Sequence, residues 1–199
     1  MSNRSLRVTL AALIVVAPTI LRAQEDDIEF AKARKEFVAG QPRAAANTLL
    51  ASSLGVRQQV GRCRDVAIGT ELLEAESTLD KLAGALRAGS VKEVKALDET
   101  LTRIDHALAR HYVLLVKATL ARPRADNIPV AADDLERAAL HFERSVTLAG
   151  GKLGADQTAA IAEARKLSAE IRASNAMPVG TSAVVASMEK LLEPPVGAK

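Results

Sequence analysis

Three histidines, one cysteine and a few paired acids are the side chains in this 199-residue sequence that could do chemistry. Imidazole nitrogens bind transition metals and haem, and helical bundles hold such groups between facing helices. His106, His111 and His141 are therefore the candidate ligands. Spacing sorts them. Five residues apart on one helix, His106 and His111 point about 140° from each other and cannot share a metal on a straight helix. His111 and His141 fall on consecutive helices joined by a short turn, with a register offset of about 7.5 Å along the axis. That pair is the candidate metal or haem site, and His106 stands apart from it. The residues three before the histidines are Arg103, Leu108 and Ala138, so the Glu-x-x-His pattern of di-iron bundles is missing. The Cys-x-x-Cys-His of covalent haem and the His-Glu-x-x-His of zinc proteases are missing as well.

The other reactive types are no better arranged for catalysis. No Gly-x-Ser-x-Gly elbow holds a serine nucleophile, and Gly151-Lys152 lacks a phosphate-loop pattern. Asp133 and Asp134 are expected in the first turn of their helix, where negative charge suits the helix dipole. Asp98, Glu99 and Asp105 fall off the apolar seam near Lys95 and Arg103 and read as solvated helix surface rather than as a general acid–base pair. Cys63 is the only cysteine. It cannot form an intrachain disulfide and reads as a small half-buried residue. No catalytic residue emerges, and the chain is not expected to be an enzyme.

Residues 1–23 read as a secretory leader. Arg4 and Arg7 precede an apolar stretch from Val8 to about Leu21, and Ala23 offers a small residue before Gln24. The stretch is shorter than the roughly 20 residues that span a bilayer. Periplasmic or secreted localisation follows, with no integral membrane span after cleavage. The whole chain carries 27 basic and 24 acidic residues and has a pI near 9.2. The leader holds three of those basic residues and none of the acids, so the processed chain is formally neutral. Nucleic-acid binding needs an excess of basic surface, and usually aromatics for stacking. With aromatics at 2%, nucleic acid is not an expected partner.

The elements that must position these side chains read as helices throughout. The apolar content is Ala, Leu and Val with no Trp, one Tyr and three Phe, which favours packed helices over a sandwich or barrel. Phe30, Ala33 and Phe37 share a face of a first helix that Gly40-Gln41-Pro42 ends. A second helix is expected over 42–54. A third, over 64–88, carries Ile68, Leu72, Ala75, Leu79, Leu82 and Leu86. Ser90 with Glu93 reads as a capping box for the longest helix, 91–121, about 45 Å in length. Its seam runs Val94, Leu97, Leu101, Ile104, Leu108, His111, Leu115, Ala118, and past His111 it turns apolar all round, as in a helix with neighbours on every side. Helices over 130–149, 155–174 and 181–192 follow. The fold class is all-α: an antiparallel helical bundle built from hairpins, with one long central helix. Residues 24–192 form one helical domain, and 193–199, with Pro194 and Pro195, form a disordered tail.

The segment AKARKEFVAGQPRAAANTLL resembles a tetratricopeptide hairpin, with Ala33, Gly40, Ala45 and Leu49 at its small and packing positions. Residues 114–146 repeat the flavour without a fixed period. A hairpin at each end of an exported Ala-rich helical chain is similar to the YfdX-like family of secreted bacterial proteins, and that resemblance brings no catalytic residue with it. The expected function is a non-catalytic helical module that binds a protein partner or self-associates through the long seam. The alternatives are a haem- or metal-binding bundle using His111 and His141, and an apolar-ligand carrier. N-terminal sequencing of the exported protein should begin at Gln24; an intact Met1 terminus in that fraction would refute the leader.

Overall fold

The structure, a computed structural model, describes residues 28–148 and 150–193. The expected leader and residues 194–199 of the expected tail lie outside them. Among the described residues there are seven α-helices and no strand: α1 Phe30–Val38, α2 Pro42–Arg62, α3 Val66–Arg87, α4 Val94–Ala121, α5 Ile128–Thr147, α6 Ala155–Ser174 and α7 Thr181–Leu192.

Each consecutive pair of helices packs together. Cross-helix bonds set the directions. Ser53 bonds Asp80 while Arg87 bonds Asn47, so α2 and α3 run antiparallel. Arg165 bonds Glu143 while Arg172 bonds Asp133, which does the same for α5 and α6. The 28-residue α4, about 42 Å long, is the hub and touches α1, α3, α5 and α7. Its seam is buried from Leu97 through Leu101, Ile104 and Leu108 to His111. Further on, Val113 and Val116 are the buried residues, while Leu115 is half-buried and Ala118 exposed. A straight helix of 3.6 residues per turn drifts off a 3.5-residue seam in this way. α1, α3, α5 and α7 pack around α4 within one molecule. Aliphatic burial of this kind, at roughly 25 cal/mol per Å² of apolar surface, is the main force holding the helices together.

Three helix boundaries differ from the pattern reading. α2 continues to Arg62 through Ser52-Ser53-Leu54-Gly55, a sequence that reads as a break. Tertiary contacts override it. Ser52 Oγ accepts from the Glu29 amide at 3.1 Å, and Ser53 Oγ donates to Asp80 at 2.7 Å. Gly55 lets the Ile28 side chain seat on the helix, since a Cβ there would lie 3.0 Å from Ile28 Cγ1. The capping box of Ser90 and Glu93 does not form. Ser90 Oγ instead donates to the Ala85 carbonyl at the end of α3, Gly89 takes the left-handed conformation at φ 65°, and α4 begins at Val94. α5 begins at Ile128, with Pro129 in its first turn where the missing N–H costs nothing. Asp133 and Asp134 consequently lie in the second turn, not the first.

The seat of Ile28 is testable. Gly55→Val should lower stability by about 1–3 kcal/mol in urea unfolding by overpacking that contact. Gly61→Val, in the same helix with nothing near the added atoms, should change it by less than about 0.5 kcal/mol.

Candidate functional site

The long helix and α5 enclose a line of buried polar side chains. Asp105 and Tyr112 are two turns apart on α4, and Arg137, His141 and Arg144 follow one another at spacings of four and three on α5. Each set therefore forms a stripe on its helix, and the two stripes face each other. Asp105 is completely buried, Tyr112 likewise, and His141 nearly so.

At one end, His141 Nδ1–H donates to Asp105 Oδ1 at 2.7 Å. A carboxylate only accepts, so Nδ1 carries the proton. Arg144 Nε lies 3.4 Å from Asp105 Oδ2, and the same guanidinium donates through Nη1 to the Ile28 carbonyl at 3.1 Å and sits 5.3 Å over the Phe30 ring. In the middle, the Tyr112 ring stacks on His141 at 5.5 Å between centroids, tilts against His111 at 5.4 Å, and has Arg137 over it at 5.8 Å. At the other end, Arg62 donates to both oxygens of the buried Asp134 at 3.0 and 3.2 Å, with Arg137 at 3.7 Å. One polar line thus runs from the N-terminal segment through α4 and α5 to the end of α2. A third buried acid, Asp98, takes a paired contact from Arg34 at 2.7 and 3.0 Å, which ties α1 to α4.

Asp98, Asp105 and Asp134 are therefore not solvated surface. The physical reason is that α1, α2 and α5 bring arginines or a histidine to each of them, and a paired charge can be buried where a lone one cannot. Asp105 was legible in one respect: it stands next to Ile104 in sequence and seven residues before Tyr112, and so flanks the seam. Arg137, Arg144 and Arg62 carried no sequence signal of a partner, because their acids lie on other helices.

Of the predicted ligands, the structure brings His111 and His141 to the two sides of one residue, Tyr112. His111 is buried, and its Nε2 has no hydrogen bond. Burial first, then Arg62 and His141, hold its pKa down to about 4, so the ring is neutral at neutral pH. His106 stays apart, as its spacing requires: half-buried on another side of α4, its Nε2–H donates to the Leu192 carbonyl at 3.0 Å, and burial lowers its pKa. Burial also raises the pKa of the half-buried Cys63 thiol, which donates to the Asp65 carbonyl at 3.3 Å. Among the described residues no group of three or more His, Cys, Asp or Glu is arranged to hold a metal ion. Clefts among the described residues lie elsewhere, including one of about 190 Å³ near Asp65, Arg110 and Glu193, one of about 200 Å³ between α3 and α4 near Arg103 and Thr78, and one of about 430 Å³ between α6 and α7.

No protein-family model matches the chain, and neither a curated protein nor a solved structure matches it. No described helix is long and apolar enough to cross a membrane.

His111 and Asp134 give opposite pH dependences. Burial, opposed by Arg62, lifts Asp134 to about 6. Its native state binds the proton more tightly than the unfolded chain, so its contribution is complete below about pH 4 and is lost as pH rises through 6. The lowered pKa of His111 works the other way: its contribution is complete above about 6.5 and is lost as pH falls toward 4. His111→Leu should be neutral or about 1 kcal/mol stabilising at pH 7, since no hydrogen bond is lost at Nε2. Its advantage over the parent should widen by about 2–3 kcal/mol between pH 6.5 and 4, read by urea unfolding. A constant difference across that range would show that His111 does not titrate as its burial requires.

Proposed function

We propose that the chain is a non-catalytic helical module, exported behind a cleaved leader, that offers its outer helix faces to a protein partner or to a second copy. One observation carries this reading. Asp105, Asp134, His141 and Arg144 are engaged in cross-helix pairs, and neither they nor the buried His111 line the clefts near Asp65, near Arg103 or between α6 and α7. A general base must reach the proton it abstracts, and the Asp105–His141 pair is enclosed by α4, α5 and the segment at Ile28. The similarity to YfdX-like proteins belongs to the same proposal and supplies no catalytic residue.

A haem or transition-metal role for His111 and His141 has two observations in its favour: the His111 Nε2 is neutral and not engaged in a hydrogen bond, and His141 Nδ1 donates to Asp105, as a metal-ligating histidine commonly does to a carboxylate. An apolar-ligand role would fall to the groove between α6 and α7. Metal analysis, a visible absorption spectrum and organic extraction of protein purified from its own compartment separate these readings. The expected result is no stoichiometric metal, no Soret band and no co-purifying lipid, together with a discrete protein adduct on cross-linking in intact cells. Stoichiometric metal that disappears in His111→Leu would overturn the proposal in favour of the metal reading, and a stoichiometric lipid would overturn it in favour of the carrier.

A further inference from the structure

The last two helices leave a face uncovered. Among the described residues α6 packs chiefly on α5 and α7, and α7 chiefly on α4 and α6, which leaves the outward side of the α6–α7 pair largely uncovered. The groove along it holds about 430 Å³, more than the clefts near Asp65 and near Arg103. Its floor is aliphatic and mostly small, with Ala159, Ala183, Val184 and Leu191 along it. Small side chains let another helix approach closely. Charge is confined to the rim: Asp156 and Glu163 on the α6 wall, Lys190 on the α7 wall.

The placement of those charges selects the occupant. α4 and α5 run antiparallel, as do α5 and α6, and the bonds from Lys117 to Glu189 and from His106 to Leu192 set α7 antiparallel to α4. α7 is therefore antiparallel to α6. Asp156, at the start of α6, and Lys190, near the end of α7, stand at the same end of the groove on opposite walls. Neither has an ion-pair partner among the described residues, whereas Glu163 has a long contact with Lys166 at 3.7 Å. A twofold axis parallel to the groove exchanges the two walls and keeps each residue at its own level. It lays α7 of one copy on α6 of the other and sets Lys190 against Asp156 of the partner subunit, twice. A face that is complementary to itself under a rotation is the condition for an isologous dimer. A partner of uniform charge would meet one wall favourably and be repelled by the other.

We propose that the α6–α7 groove is the interface of a twofold homodimer, with the aliphatic floor supplying affinity and the Asp156–Lys190 pairs fixing the alignment. This rests on the non-catalytic reading above and names its partner as a second copy of the chain. Sedimentation equilibrium of the processed protein tests it. The expected species is a dimer. Ala183→Arg, which places a long charged side chain on the exposed floor, should give a monomer of unchanged helical circular dichroism. Lys190→Glu should raise the dissociation constant about tenfold, since it removes both rim pairs and adds two like-charge contacts. Adding Asp156→Lys to Lys190→Glu restores opposite charges and should recover dimerisation, which a merely destabilised fold would not do. A parent protein that stays monomeric overturns the dimer while leaving the non-catalytic reading to its own cross-linking test. A dimer indifferent to Ala183→Arg and Lys190→Glu overturns it equally, because its interface is then another face.

Discussion

A single buried carboxylate organises this bundle. Asp105 has no exposed surface, and an isolated charge in that position would cost far more than the whole domain's net stability. It is tolerable only because α5 delivers His141 Nδ1–H to one oxygen and Arg144 to the other. Arg144 in turn donates through Nη1 to the Ile28 carbonyl and lies over the face of Phe30, while its Nε and Nη2 make no hydrogen bond and hold Asp105 by charge alone. Burying one acid on α4 therefore dictates the placement of α5 and the docking of the segment that leads into α1. Phe30 and Ile28 are seated by their apolar contacts, but their position is set by a guanidinium whose position is set by Asp105.

The rest of the interior explains why such a fixed point matters. The core is aliphatic and rich in alanine, and a Leu/Ala seam repeats nearly the same surface every turn. Sliding α5 against α4 and α2 by one turn, about 5.4 Å, would trade one aliphatic contact for another of similar area. It would also carry Asp105 away from both of its partners and leave Asp134 and Arg62 mismatched, at a cost of about 3–5 kcal/mol for each buried charge stripped of its partner. Hydrophobic burial holds the helices together with little preference among registers; the polar line running from Arg144 to Arg62 distinguishes among them.

This division also determines what could be read from the sequence. Period and spacing identify the helices and most of their inner faces, because an aliphatic stripe is a local property: Ile68, Leu72, Leu79 and Leu86 on α3, or Ala160, Ala164, Leu167 and Ile171 on α6, are buried as their spacing requires. The expected hub role of the long helix follows in the same way from its all-round apolar end. Boundaries failed where a distant contact outvoted a local signal, as at Gly55, where a helix runs through a glycine because Ile28 needs the space. The polar interior failed for the same reason on a larger scale. An aspartate flanking a seam, with lysine and arginine nearby along the chain, looks solvated until the partner supplied 36 residues later by His141 is known. The sequence did place His111 and His141 in one neighbourhood, but Tyr112, the residue that lies against both, looked like one more apolar position.

The electrostatics of that neighbourhood are balanced rather than one-sided. Acidification charges imidazoles, and a neutral buried His111 resists it, so this residue alone would make the bundle weaken as pH falls. Asp134, held partly by desolvation in the same interior, prefers its proton and so strengthens the bundle over nearly the same interval. The two shifts have a common cause, since burial disfavours whichever form is charged, the cation of a histidine and the anion of an aspartate. A helical interior that admits one buried base and one buried acid, each next to Arg62 or its partners, thereby acquires a stability that these two groups leave almost level between pH 4 and 6. The compensation needs no dedicated device. It follows from placing groups of opposite charge type in one desolvated line, and the register that Asp105 enforces keeps that line in place.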